Sequence, residues 1–199
     1  MQKKLNAVGI RYVLIMSLTF LLPALSTAQV KFEKESRISR DDVPEIAFLM
    51  LDELNLDVRV RWFREESERG YSYEGKYKLN RVWHSIEFDS TGQFQDAEIE
   101  IKEKELPEGT RRRMHADFSA EFDRYRIRKI QRQLSGPREE VLSALDTQAL
   151  PPAIRVRYEI VVKGKASGET HLYEYLFSRA GERERKARII LRNTDHLIF

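Results

Sequence analysis

Runs of apolar–polar alternation, separated by glycine turns and proline-led helix starts, restrict this chain more than anything else in its sequence. The cleanest places Ile154, Val156, Tyr158, Ile160 and Val162 at every second position, with Arg155, Arg157 and Glu159 between them. A period of two is the signature of a strand with one dry face and one polar face. Val58, Val60 and Trp62 alternate with Arg59 and Arg61, and Ala97, Ile99 and Ile101 with Glu98, Glu100 and Lys102. Val82, Ile86 and Phe88 share one side of another strand, preceded by Tyr73, Tyr77 and Leu79. Residues 125–134 read as a strand with Ile127 and Ile130 out of register. Residues 172–177 and the run through Ala187, Ile189 and Leu191 add two more. The chain therefore predicts an extensive antiparallel sheet.

Helices punctuate it. Ser39-Arg40-Asp41-Asp42-Val43-Pro44 combines capping side chains, early acids and a proline at a helix start. Ile46, Leu49, Met50 and Leu54 follow at helical spacing, and Asn55 stops the run. Leu106-Pro107 repeats the opening, with Thr110, Met114, Phe118 and Phe122 as an i, i+4 stripe. Ser135-Gly136-Pro137 introduces a short helix near 139–145. In Phe88-Asp89-Ser90-Thr91-Gly92 the aspartate can cap its own turn, and the glycine supplies a positive φ, so a hairpin is expected.

The two halves can be laid over each other. Phe88 lies four residues before Gly92 and Phe177 four before Gly181; Tyr77-Lys78-Leu79 has its counterpart in Tyr158-Glu159-Ile160. The predicted fold class is α+β: tandem helix-plus-antiparallel-strand modules at 41–105 and 106–192, forming one curved sheet with helices on one face. An insertion near 135–153 falls in the second module.

Residues 1–28 read as a cleavable export signal. Lys3, Lys4 and Arg11 precede an apolar stretch that Pro23 ends, and Ser26-Thr27-Ala28 offers a small-residue cut before Gln29. Residues 29–40 are expected to be a flexible leader and 193–199 a tail. No cysteine is available for a lipid or a disulfide, so a periplasmic or secreted protein without a stable membrane anchor is expected, held together by packing alone. The 35 Lys and Arg outnumber the 32 Asp and Glu by the three bases of the signal. Without them the charges balance, which argues against nucleic-acid binding.

With these elements in order, the chain resembles the PepSY-like proteins, the family also described as similar to the beta-lactamase inhibitor protein. The resemblance spans roughly residues 39–191. It rests on Val43-Pro44, Tyr77-Lys78-Leu79, Ile86-Glu87-Phe88-Asp89-Ser90-Thr91-Gly92, Leu106-Pro107 and Tyr175-Leu176-Phe177-Ser178-Arg179-Ala180-Gly181. It implies a periplasmic protein whose tandem modules share one sheet, with one face open to a partner and with binding or inhibition by analogy. Ser178 departs from Asp89 of the first hairpin.

Enzymatic signatures are missing from the sequence. No Gly-x-Ser-x-Gly elbow occurs, and His84, His115, His171 and His196 are scattered without metal-ligand spacing. Glu65-Glu66 and Glu139-Glu140 are sequence neighbours that point different ways. No enzyme activity, metal or cofactor is expected. The polar sides of the strands remain: Arg59, Arg61 and Phe63; Trp83, Ser85 and Glu87; Arg155, Arg157 and Glu159. Aromatics and arginines together suit the centre of an interface, while an ordinary solvated sheet face carries charge as well. The sequence reads as a non-enzymatic binding module, with inhibition as one form of that binding, that meets a protein of the cell envelope through this face. A second reading is a small-ligand carrier or sensor with a pocket between sheet and helices.

Overall fold

Trp62, Gly75, Ile86, Ala97, Leu134 and Val156 are successive cross-strand partners, and this row shows how the sheet is built. In the computed structural model, which describes residues 29–67 and 70–191, the strands are β1 (Gln29–Ile38), β2 (Arg61–Ser67), β3 (Gly70–Leu79), β4 (Val82–Phe88), β5 (Phe94–Glu100), β6 (Arg124–Ser135), β7 (Arg155–Ala166), β8 (Glu169–Ser178) and β9 (Arg183–Leu191). Each pairs antiparallel with the next. Parallel pairing of Gln29–Glu33 with Ala187–Leu191 joins β1 to β9 and closes the sheet into a barrel. The helices are α1 (Glu45–Glu53), α2 (Glu108–Glu121) and α3 (Arg138–Thr147). The curved antiparallel sheet with helices is thus present. The expected export signal and C-terminal tail lie outside the described residues.

The outer, convex face is apolar and carries the helices. Leu51 of α1 rests over Gly75, where a Cβ would come within 2.5 Å of it. Phe122, just past α2, lies over Gly164 in the same way. Phe118 packs edge-on against Tyr175 and Phe177, and Trp62 packs at a tilt of 40° against Phe88. Val141 and Ala144 bury α3. Ile127 and Lys129 flank a bulge in β6, which is the register slip visible between Ile127 and Ile130.

Three expectations are corrected. Residues 29–38 form β1 rather than a flexible leader: a polar segment can be held by its backbone when a partner strand lies on each side, and β2 and β9 supply both. The buried side of α1 is Ala47, Met50 and Leu51, leaving Ile46 and Leu49 exposed, because Leu51 is the side chain that fits over Gly75. Val58 and Val60 precede β2 instead of belonging to it, yet both still pack on the core.

The two proline-led helices begin alike. Pro44 and Pro107 hold φ/ψ of −54/133° and −53/138°, each after one turn of 3-10 helix. The two glycine hairpins also match. Gly92 N–H donates to Asp89 O at 3.0 Å and Gly181 N–H to Ser178 O at 2.9 Å, with φ of +86° and +83°. Each glycine abuts the start of its helix: a Cβ on Gly92 would lie 2.7 Å from Pro44 and Ile46, and one on Gly181 would lie 2.8 Å from Thr110 Cα. Gly92→Val and Gly181→Val are each expected to cost about 2–4 kcal/mol, combining positive-φ strain with overpacking. Urea denaturation checks this, and a neutral result at either glycine contradicts the close helix–hairpin contact.

Candidate functional site

Strand alternation sends every second side chain of this sheet into the barrel, and there the residues are charged. Three cross-strand rows define the lining. Phe63, Glu74, Glu87 and Asp96 make the first. Arg61, Lys76, Ser85, Glu98, Gln133 and Arg157 make the second. Glu100, Gln131, Glu159, Leu176 and Arg185 make the third. Among the described residues, no helix covers this face. The closed sheet buries it, and Glu74 and Glu98 keep only 4% and 3% of their surface.

Buried carboxylates are costly unless they are paired, and two groups solve this differently. Glu35, Glu65 and Glu74 converge from β1, β2 and β3. Lys76 Nζ lies 2.8 Å from both Glu35 Oε2 and Glu74 Oε2. Burial alone would lower its pKa, but the two carboxylates outweigh that and hold the ammonium well above the usual lysine range. Next to it, Glu87, Asp96 and Glu98 bring carboxylate oxygens within 4.8 Å of one another. Burial raises all three. Glu98 and Asp96 push Glu87 up further, Glu159 does the same to Glu98, and Asp96 is pushed up to about 6 despite Arg157 and a hydrogen bond from Gln133. Gln133 Nε2 also donates to Glu98 Oε1 at 3.3 Å. Farther round, Arg185 lies 2.6 Å from Glu174 and 3.8 Å from Glu159.

A cavity of about 280 Å³ opens into this lining. Glu65, Ser72, Glu87, Asp96, Gln133 and Glu159 are among its walls, with Arg157 and Arg185. Glu66 and Ser67, at the end of β2, and Gln95 border it as well.

The residues expected to form a binding face are distributed as follows. Glu87, Arg157 and Glu159 come together around the cavity. Phe63 neighbours Glu74 in the first row, with Lys76 Nζ 4.9 Å from its ring. Trp83 sits beside the β3–β4 turn, at the strand end away from Glu87. Its ring is approached by Arg61 at 5.5 Å and Lys78 at 5.3 Å. Arg155 is exposed and bound to Glu184 at 2.8 and 2.9 Å. Arg59 is exposed in the loop before β2, off the sheet. Three of the histidines are otherwise engaged: His84 stacks on Tyr77, His115 contacts Tyr125 and Glu103, and His171 contacts Glu169 and Arg188, while His196 lies outside the described residues.

Sequence reasoning missed Glu35, Glu74, Lys76, Asp96 and Glu98. The parity that selected Glu87 also selects Asp96 and Glu98 once the sheet register is known. The cavity does not lie between sheet and helices, where the ligand-carrier reading placed it; the apolar core fills that space.

No family model and no curated protein sequence matches the chain. Solved structures do resemble it. A candidate periplasmic protein from Bacteroides eggerthii superposes with a TM-score of 0.50 at 15% identity, over 73% of this chain and 88% of its own. A DUF2874 family protein from Bacteroides uniformis gives 0.50 at 17%, over 73% and 89%. A BLIP-like protein from Bacteroides fragilis gives 0.45 at 13%, over 77% and 92%. The first two share the fold with this chain; the third is too distant to add to that. Among the described residues, no helix is long and apolar enough to cross a membrane.

Lys76→Met is expected to destabilise by about 2–4 kcal/mol, since it leaves Glu74 buried without its cation. Adding Glu74→Gln should restore much of that loss. Urea denaturation of the two single variants and the double variant measures the coupling, and strictly additive losses contradict it.

Proposed function

We propose that this protein is an exported, non-enzymatic binding module that engages a protein partner of the cell envelope through the concave face of its sheet. One observation carries the reading: the concave face is continuous across β2–β9, free of helices among the described residues, and indented by a cavity of about 280 Å³. The mouth of that cavity, bordered by Glu66, Ser67 and Gln95, can admit the tip of a projecting partner segment, and inhibition is one use of such a grip. Trp83 with Arg61 and Lys78 forms an aromatic–cationic cluster at one end, of the composition that anchors interfaces. The fold shared with the candidate periplasmic protein from Bacteroides eggerthii is in keeping with export.

The matched helix starts and hairpins support a reading of the chain as two repeated modules, with α3 belonging to the insertion in the second. In that reading each module contributes strands to the same concave wall.

A small-ligand carrier is the second reading, favoured by the enclosure of the cavity by Glu65, Glu87, Asp96, Gln133, Arg157 and Glu159. Chemical cross-linking with the protein as bait in envelope extracts separates the two. A partner bound at the concave face should be lost at least tenfold with Trp83→Ala, while the melting temperature stays nearly unchanged, and at least tenfold with Arg157→Ala when capture is compared per folded molecule. Ile160→Ala, fully buried on the convex side, should cost about 2–4 kcal/mol and keep capture by the folded fraction. Equal capture by wild type and both concave variants contradicts the proposal.

A further inference from the structure

We propose that Glu87, Asp96 and Glu98 form a calcium site on the concave wall, with the Ser85 hydroxyl beside it. This goes beyond partner binding and does not rest on it.

The two acidic triads differ in a way that points to a missing cation. In the Glu35–Glu65–Glu74 group the protein supplies its own, the Lys76 ammonium at 2.8 Å from two carboxylates. In the neighbouring group, among the described residues, no lysine or arginine nitrogen stands within 4.0 Å of Glu87, Asp96 or Glu98. The charges facing the group are Glu65, Glu74 and Glu159 on the negative side and Lys129, Arg157 and Arg185 on the positive. These offset one another, so the three carboxylates of the group itself leave the local balance negative.

Ser85 is an independent sign. It is 3% exposed, lies directly across from Glu98 on the same face, and among the described residues its Oγ has no hydrogen-bond partner. Asp96 Oδ1, in a residue 8% exposed, is likewise unpartnered. Buried oxygens are rarely left unpaired in a folded protein. An oxygen-coordinated ion would occupy these two while also relieving the repulsion among the three carboxylates.

The donor chemistry selects the ion. All candidate ligands are oxygens, which favours calcium, magnesium or manganese over zinc or copper. Calcium sits about 2.3–2.6 Å from its ligands in flexible geometry. Oxygens on opposite sides of it are then up to about 5 Å apart, and the three carboxylates, whose oxygens all lie within 4.8 Å of one another, fall inside that limit. Magnesium demands a tighter octahedron. Glu87 and Asp96 also line the cavity, so an ion has a path in and room for completing waters.

Isothermal titration of the full chain, stripped with chelator, tests the proposal with calcium chloride and then magnesium chloride at pH 7.5, alongside melting curves. Wild type should bind one calcium and melt higher in its presence, with magnesium at least tenfold weaker. Asp96→Asn and Glu98→Gln should each weaken calcium at least tenfold without lowering the melting temperature of the ion-free protein. Glu35→Gln, in the lysine-closed triad, should bind calcium as wild type does. The proposal is overturned if 10 mM calcium gives wild type neither heat nor a melting shift. It is equally overturned if Asp96→Asn and Glu98→Gln bind like wild type, or if magnesium binds as tightly as calcium.

Discussion

The Lys76 ammonium held between Glu35 and Glu74 shows what the rest of the structure depends on: charge compensation inside a sheet curved enough to bury both of its faces. An ordinary half-buried sheet leaves its polar side to water. Here β1 meets β9, the polar side becomes a lining, and each charge on it must find a partner or pay the several kcal/mol of desolvation that a lone buried ion costs. Lys76 serves the β1–β3 side and Arg185 serves Glu159 and Glu174 on the β7–β9 side. Between them lie Glu87, Asp96 and Glu98, whose carboxyls are all shifted toward the protonated form. The convex face bears the complementary task. Gly75 and Gly164 let Leu51 and Phe122 come close, so the helices seal the apolar side while the strands keep the curvature that encloses the polar one.

How much of this the sequence shows depends on the range of the interaction. Local patterns carry the strands well: the alternation at Ile154–Val162 and at Ala97–Ile101 falls in or next to β7 and β5, and the offset of Ile127 and Ile130 marks a bulge. Glycine hairpins at Gly92 and Gly181 follow from turn chemistry. Pairing with distant partners is not visible locally. The segment at 29–38 has too little alternation to announce a strand, and only β2 and β9 make it one. On α1, helical spacing alone nominates Ile46 and Leu49, while the packing against Gly75 selects Leu51.

The site divides along the same line. Parity within a strand correctly groups Trp83, Ser85 and Glu87, and Arg157 with Glu159, on one face. Register between strands decides which of them meet. It sets Glu87 beside Asp96 and Glu98 beside Ser85 and Gln133, leaves Trp83 at the other strand end with Arg61, and strands Arg59 in a loop. The acids that dominate the lining look, in the sequence, like ordinary solvent-facing charge, because nothing in a single strand reports that its polar side will be enclosed. The shared fold with structures at 15% and 17% identity shows that the architecture tolerates wide sequence change.

The proposed function requires a partner to occupy the concave wall rather than the helices. Hydrogen–deuterium exchange of the full chain, alone and with the partner captured in the cross-linking experiment, measures it directly. The account predicts slowed exchange in β3, β4, β5 and β7 with α1, α2 and α3 unchanged. Protection confined to the helices, with those strands unaltered, would contradict it.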